Sequence, residues 1–257
     1  MCELFGITSR EPIEINNYLN KFVDRSDEQP HGWGIATLHG NEAILEKEAT
    51  QASKSQYLSK KLSNPIIESN LFAHIRYATI GNVEKYNCHP FTYEDWTGRR
   101  WTLIHNGTIF EYKDLEDYIN VQEGDTDSER ILLHIIDLVN HKTMSKGAML
   151  TAEERFNMID TLAVKLSKGN KLNFLLYDGE YTYVHTNYQD SLHHLDKDGA
   201  VIISTKPLTD ENWVNFPLYT LQVYKNGQLV FTGTNHGNEY IDNEEDMKLI
   251  YQIFSEL

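Results

Sequence analysis

Cysteine is nearly absent: the 257 residues contain only Cys2 and Cys88. Two cysteines exclude a disulfide framework and are too few for the common cysteine-rich zinc sites. Positive charge is also scarce, with 23 Lys and Arg against 38 Asp and Glu and a net charge of −15. Phosphate-backbone binding needs clustered cations, so a nucleic-acid partner is not expected. No apolar run approaches the roughly 18 residues of a membrane-spanning helix. The opening MCELFGITSREP lacks the basic and apolar regions of a signal peptide. A cytoplasmic protein with no membrane partner is expected. Repeats, low-complexity tracts and linkers rich in Gly, Ser or Pro are missing too, so residues 1–257 read as one domain. With 40% hydrophobic residues, the chain can bury a full core.

What is present reads as strands, then helices, then strands. Ile15, Leu19 and Phe22 recur at helical spacing. Segments 35–38 and 43–45 form a hairpin turning at Gly40-Asn41, and 71–79 and 101–105 read as further strands. A helix follows, capped by Asp125, Thr126 or Asp127, with Ile131, Leu132, Ile135, Ile136 and Val139 on one face. A second has a capping box from Thr151 to Glu154, an apolar face of Phe156, Ile159, Leu162 and Leu166, and a stop at Gly169. Two hairpins come last, 172–177 with 181–186 turning at Asp178-Gly179, and 218–224 with 229–232 turning at Asn226-Gly227. Hairpins imply antiparallel sheets, and amphipathic helices need sheet faces to cover. An α+β sandwich meets both demands.

Cys2 has chemistry open to no other position. It is small enough for methionine aminopeptidase to expose as the chain start. A thiol needs a base, and an α-amine with a pKa near 8 can take its proton directly or through one water. Four further segments carry chemistry-bearing residues. His31-Gly32-Trp33-Gly34 makes a turn before a strand; alone it reads as a tight turn with a buried tryptophan. His74-Ile75-Arg76-Tyr77-Ala78-Thr79 places an arginine in an apolar strand, where it needs a carboxylate from protein or ligand. His105-Asn106-Gly107 ends a strand, so a side-chain amide and a backbone N–H can share one oxygen, although alone it reads as a plain Asn-Gly turn. Gly124-Asp125-Thr126-Asp127-Ser128-Glu129 opens a helix and alone reads as N-capping.

Together, in this order and spacing, the segments resemble the class II, or N-terminal-nucleophile, glutamine amidotransferases. The motifs span residues 2–129. NCHPF around His89, WTLIHNGT, NFLLYDG and STKPLTDENW resemble the stand-alone YafJ-like branch. The resemblance implies an Ntn-hydrolase-like four-layer sandwich, two stacked antiparallel sheets flanked by helices. It implies that Cys2 attacks a γ-carbonyl and forms a γ-glutamyl thioester, and that Asn106 and Gly107 hold the oxyanion. It also implies that Arg76 with Thr79 binds the substrate α-carboxylate, that Asp127 binds the α-ammonium, and that His31 and Trp33 shape the pocket. Ile80 stands where many synthase-linked members have a histidine, and the synthase domain that follows in those members is not in this sequence.

Hydrolysis of the γ-amide of glutamine or a small γ-glutamyl compound is therefore the expected activity. One alternative is a glutaminase subunit supplying ammonia to a separate synthase, and another a non-catalytic glutamine sensor. Eleven histidines show no i, i+4 pairing with a carboxylate, so neither metal nor cofactor is expected. His193-His194 reads as a solvent loop and Cys88 as a packed thiol.

Overall fold

The sequence alternates short apolar strands with tight turns, and the folded chain stacks them as two antiparallel sheets between helices. A computed structural model describes residues 2–78, 80–243 and 248. In chain order the elements are β1 (Glu3–Glu14), α1 (Asn16–Val23), β2 (Trp33–His39), β3 (Glu42–Glu48), α2 (Gln56–Leu62), β4 (Ile67–Ile75), β5 (Phe91–Glu94) and β6 (Arg100–His105). Then follow α3 (Asp127–Lys146), α4 (Ala152–Leu166), β7 (Phe174–Tyr177), β8 (Thr182–His185), β9 (His193–Lys197), β10 (Ala200–Ser204), β11 (Val214–Asn215), β12 (Gln222–Lys225) and β13 (Gln228–Thr232). The first sheet runs β11-β9-β10-β1-β4-β2-β3 and the second β13-β12-β8-β7-β6-β5.

Three apolar layers hold these elements together. One lies between the sheets and joins Leu4, Leu38 and Phe72 to Ile104, Leu175 and Val184. A second packs α1 and α2 on the first sheet through Leu19, Phe22, Leu58 and Trp33. The third packs α3 and α4 on the second sheet through Leu132, Ile135, Ile159 and Leu162. The order is helix, sheet, sheet, helix, the expected four-layer α+β sandwich. Gly6 lets the sheets approach, since a Cβ there would meet Leu175 Cδ2 at 2.2 Å.

Several local expectations change. β1 was not foreseen, because residues 3–9 are buried on both faces and show no period-two alternation. The strand expected over 71–79 ends at Ile75, and Thr79 lies outside the described residues. His193 and His194 stand on β9, paired with Ser204 and Ile203, not in a solvent loop. Their strand returns through Asp198-Gly199, both at positive φ. At Asn226-Gly227, φ values of 52° and 74° give the two left-handed residues of a tight hairpin. The Asp178-Gly179 turn is longer, closed by the Asp178 N–H on Tyr181 O at 3.2 Å.

Phe72→Ala should cost about 3–5 kcal/mol of unfolding free energy, because it empties the layer between the sheets. Urea denaturation reads this directly, and a loss under about 1 kcal/mol would contradict the packing described.

Candidate active site

Strand pairing decides what lies beside Cys2. Glu3 on β1 pairs with Ile75 on β4, so the preceding residue meets the chain just past β4. Cys2 Sγ donates to Tyr77 O at 3.2 Å and accepts from the Tyr77 N–H at 3.2 Å. Burial pushes the thiol pKa up, and the Tyr77 amide opposes the shift only in part. Such a thiol stays protonated near neutrality and needs a base to react.

Arg76 is 2% exposed and lies one residue beyond β4. Its N–H still donates to Gly32 O at 2.8 Å, extending the ladder. Its guanidinium donates to the carbonyls of Asn82 (2.9 Å), Ile80 (2.9 Å) and Gly81 (3.0 Å). Among the described residues no carboxylate pairs with it. Three of its five N–H groups are used, which leaves two donors and an unneutralised charge. Asn87, fully buried, pins this loop: its amide donates to Asn82 O at 3.0 Å and to Asp125 Oδ2 at 3.2 Å.

The second sheet supplies the opposite wall. Past β6, the Asn106 N–H donates to Asn173 O at 2.8 Å and the Thr108 N–H to Lys171 O at 3.0 Å. Between them the Gly107 N–H has no acceptor among the described residues, and the Asn106 side chain has no partner there. Any side chain at 107 is excluded, because a Cβ would lie 2.0 Å from Lys171 O. Thr126 proves to be the cap of α3, accepting from the Glu129 N–H at 3.3 Å. Asp127 is therefore the first helical residue, 5% exposed, and its Oδ2 accepts from the Ile109 N–H at 2.8 Å. A carboxylate at a helix N-terminus is favoured by the exposed amides there.

His31 joins the first wall, its Nδ1 accepting from the Ala78 N–H at 2.9 Å. Trp33 does not: its indole lies in the layer under α1 and α2, donating to Glu48 at 3.1 Å and stacking on Tyr57. Neighbours on a strand point to opposite faces, and Trp33 takes the helix side while Gly34 faces the sheets. Cys88 is a fully buried thiol held by the carbonyls of Glu48 and Glu84.

Sequence reasoning gave Asn87, Ser128 and Lys171 no role. Asn87 and Ser128 lie inside motifs already singled out, and a count of their buried neighbours needs the fold. Lys171 has no pattern to flag it. Its ammonium sits 3.7 Å from the Tyr188 ring centre, and burial pushes its pKa down to about 8.

A site of these parts defines a class. The family model for class II glutamine amidotransferases matches residues 1–199, and the chain belongs to that family. It is similar to the protein YafJ of Escherichia coli, 32% identical over 240 residues covering 83% of this chain and 93% of YafJ. An uncharacterized protein of Methanocaldococcus jannaschii is 29% identical over 260 residues, covering 90% of this chain and 71% of that one. Among solved structures, a Pseudomonas aeruginosa protein described as a "predicted glutamine amidotransferase" matches with TM-score 0.62 at 20% identity, over 90% of this chain and all of that one. The glutamine phosphoribosylpyrophosphate amidotransferase of B. subtilis matches with TM-score 0.64 at 17% identity, over 89% of this chain and 48% of that one. The fold is thus the Ntn-hydrolase type.

Burial pushes His74 and His185 down to about 3 from 6.5. Between these values the unfolded chain takes up protons that the folded chain refuses. Their stabilisation is full above pH 6.5 and is lost as the pH falls, at up to about 1.4 kcal/mol per pH unit for each histidine. The urea midpoint should therefore drop between pH 7.5 and 5.5. An unchanged midpoint would contradict these neutral, buried rings.

Proposed function

We propose that the protein hydrolyses the γ-amide of glutamine, or of a small γ-glutamyl compound, through a γ-glutamyl thioester on Cys2. The observation that carries this reading is a half-buried thiol held on the Tyr77 backbone within electrostatic reach of two charges that lack ion-pair partners among the described residues, Arg76 and Asp127, together with two unused hydrogen-bond donors on the other sheet, Asn106 and Gly107.

After Met1 is removed, the Cys2 α-amine takes the thiol proton. The thiolate attacks the γ-carbon, and the carbonyl oxygen becomes an oxyanion held by the Asn106 amide and the Gly107 N–H. A donor of this kind is worth about 10²–10³ in rate. The C–N bond then breaks, the protonated α-amine gives its proton to the leaving nitrogen, and ammonia or an amine departs. Water attacks the thioester, the α-amine takes a proton from it, and glutamate leaves as the thiol re-forms. Arg76, with Thr79, reads the α-carboxylate through its remaining donors, and Asp127 reads the α-ammonium. His31 orients the segment after Arg76. Trp33 supports that segment from the core.

Release of ammonia to a separate synthase would use the same first half of the cycle. The B. subtilis enzyme, of which the matched part is 48%, is one in which such a domain belongs to a larger protein. A non-catalytic sensor would have no use for the thiol or the oxyanion donors.

Cys2→Ala should abolish glutamate release while leaving the circular dichroism spectrum unchanged. Blocking removal of Met1, verified by intact mass, should do the same. Full turnover by either protein refutes the mechanism. Activity that appears only when a second protein is added selects the subunit reading.

A further inference from the structure

Two side chains outside the reacting set join its halves. His105 ends β6 and is 1% exposed; Ser128 is the second residue of α3 and is 4% exposed. Nδ1 of His105 lies 2.9 Å from the Ser128 hydroxyl, which in turn donates to Asp127 Oδ1 over a long 3.4 Å. A hydroxyl has one proton, and an ionised carboxylate only accepts. The Ser128 hydroxyl therefore bridges the ring and the carboxylate, and the tautomer of the ring sets which group donates in the His105 contact. Burial pushes the His105 pKa down and keeps the ring neutral.

A backbone hydrogen bond to Lys171 opposes that fall in pKa, and the other nitrogen, Nε2, is buried. It lies directly against Gly107, where a Cβ would come within 2.5 Å of it. Two residues further on, the Ile109 N–H donates to the second oxygen of Asp127 at 2.8 Å. The segment from His105 to Ile109 is thus tied at both ends to the first turn of α3, with the two oxyanion donors between the ties.

We infer that His105 and Ser128 are positioning residues that hold the Asn106–Gly107 donors and the Asp127 carboxylate as one unit. Recognition of the substrate's α-ammonium is thereby coupled to stabilisation of the oxyanion. The inference rests on the γ-amide reading above and deepens it: γ-amides with a free α-ammonium are favoured in kcat as well as KM.

The test compares glutamine with glutaramate, which has the same γ-amide and carboxylate but no α-ammonium. Ser128→Ala should lower the glutamine-to-glutaramate ratio of kcat/KM about 10-fold, the size of one hydrogen bond to a charged group. Ser128→Thr, which keeps the hydroxyl, should restore it. His105→Asn should lower kcat on both substrates, and the double variant should lose less than the product of the single losses. A ratio that Ser128→Ala leaves within about two-fold of wild type, or losses that simply multiply, overturn the inference. If His105→Asn fails to fold, Ser128→Ala carries the test, since it removes one oxygen. A wild type that cleaves neither substrate refutes the γ-amide reading instead. Calorimetric binding of glutamine to Cys2→Ala protein then still reads the coupling: weaker binding with Ser128→Ala supports it and equal binding overturns it.

Discussion

The whole site depends on β1 being hydrogen-bonded on both sides. It runs antiparallel to β4 and to β10, with Glu3 opposite Ile75 and Phe5 opposite both Ala73 and Ser204. A strand held along two edges cannot slip, because a shift of one residue would turn every side chain to the other face. Cys2 is therefore delivered to the Tyr77 backbone by register alone. Asn106 and Gly107, the proposed oxyanion donors, come from the other sheet, past β6, and Asp127 comes from a helix packed outside that sheet. The apolar layer that holds Phe72, Ile104 and Leu175 thus sets the spacing between the strand that carries Cys2 and the one that leads to Asn106 and Gly107.

Charge is the second constraint. Arg76 and Asp127 are both nearly buried, and neither has an ion-pair partner among the described residues. Burying single charges is expensive unless hydrogen bonds offset the cost. Three loop carbonyls do so for Arg76, and the Ile109 N–H and Ser128 do so for Asp127. A ligand carrying both an ammonium and a carboxylate would complete both sites at once. That is the head group of a free α-amino acid, in keeping with the proposed γ-glutamyl substrate.

Much of this was legible in the sequence, for physical reasons. Turn chemistry at Gly40-Asn41 and Asn226-Gly227, and the capping box of Thr151 and Glu154, are local codes, and each appears where local code placed it. The order of Cys2, Arg76, Asn106, Gly107 and Asp127 was readable because each sits at an element boundary marked by Gly, Asn or a cap. β1 was not, since burial on both faces erases alternation. Nor was the true setting of Trp33, whose direction follows from the pleat of β2 and not from its neighbours in sequence. Arg76 was expected within a strand but lies just past one, free of the ladder on its far side. Asn87 reaches Asp125 across 38 residues of chain, and His105 reaches Ser128 across 23. No local pattern reports these.

The central claim is that Cys2, freed of Met1, is the nucleophile. The most direct measurement is covalent trapping with a glutamine-like electrophile, diazo-oxo-norleucine, followed by peptide mass spectrometry of the Met1-free protein. The account predicts one adduct per chain, on Cys2, prevented by excess glutamine. An adduct on Cys88, or an unmodified Cys2 in protein that still releases glutamate, would contradict it.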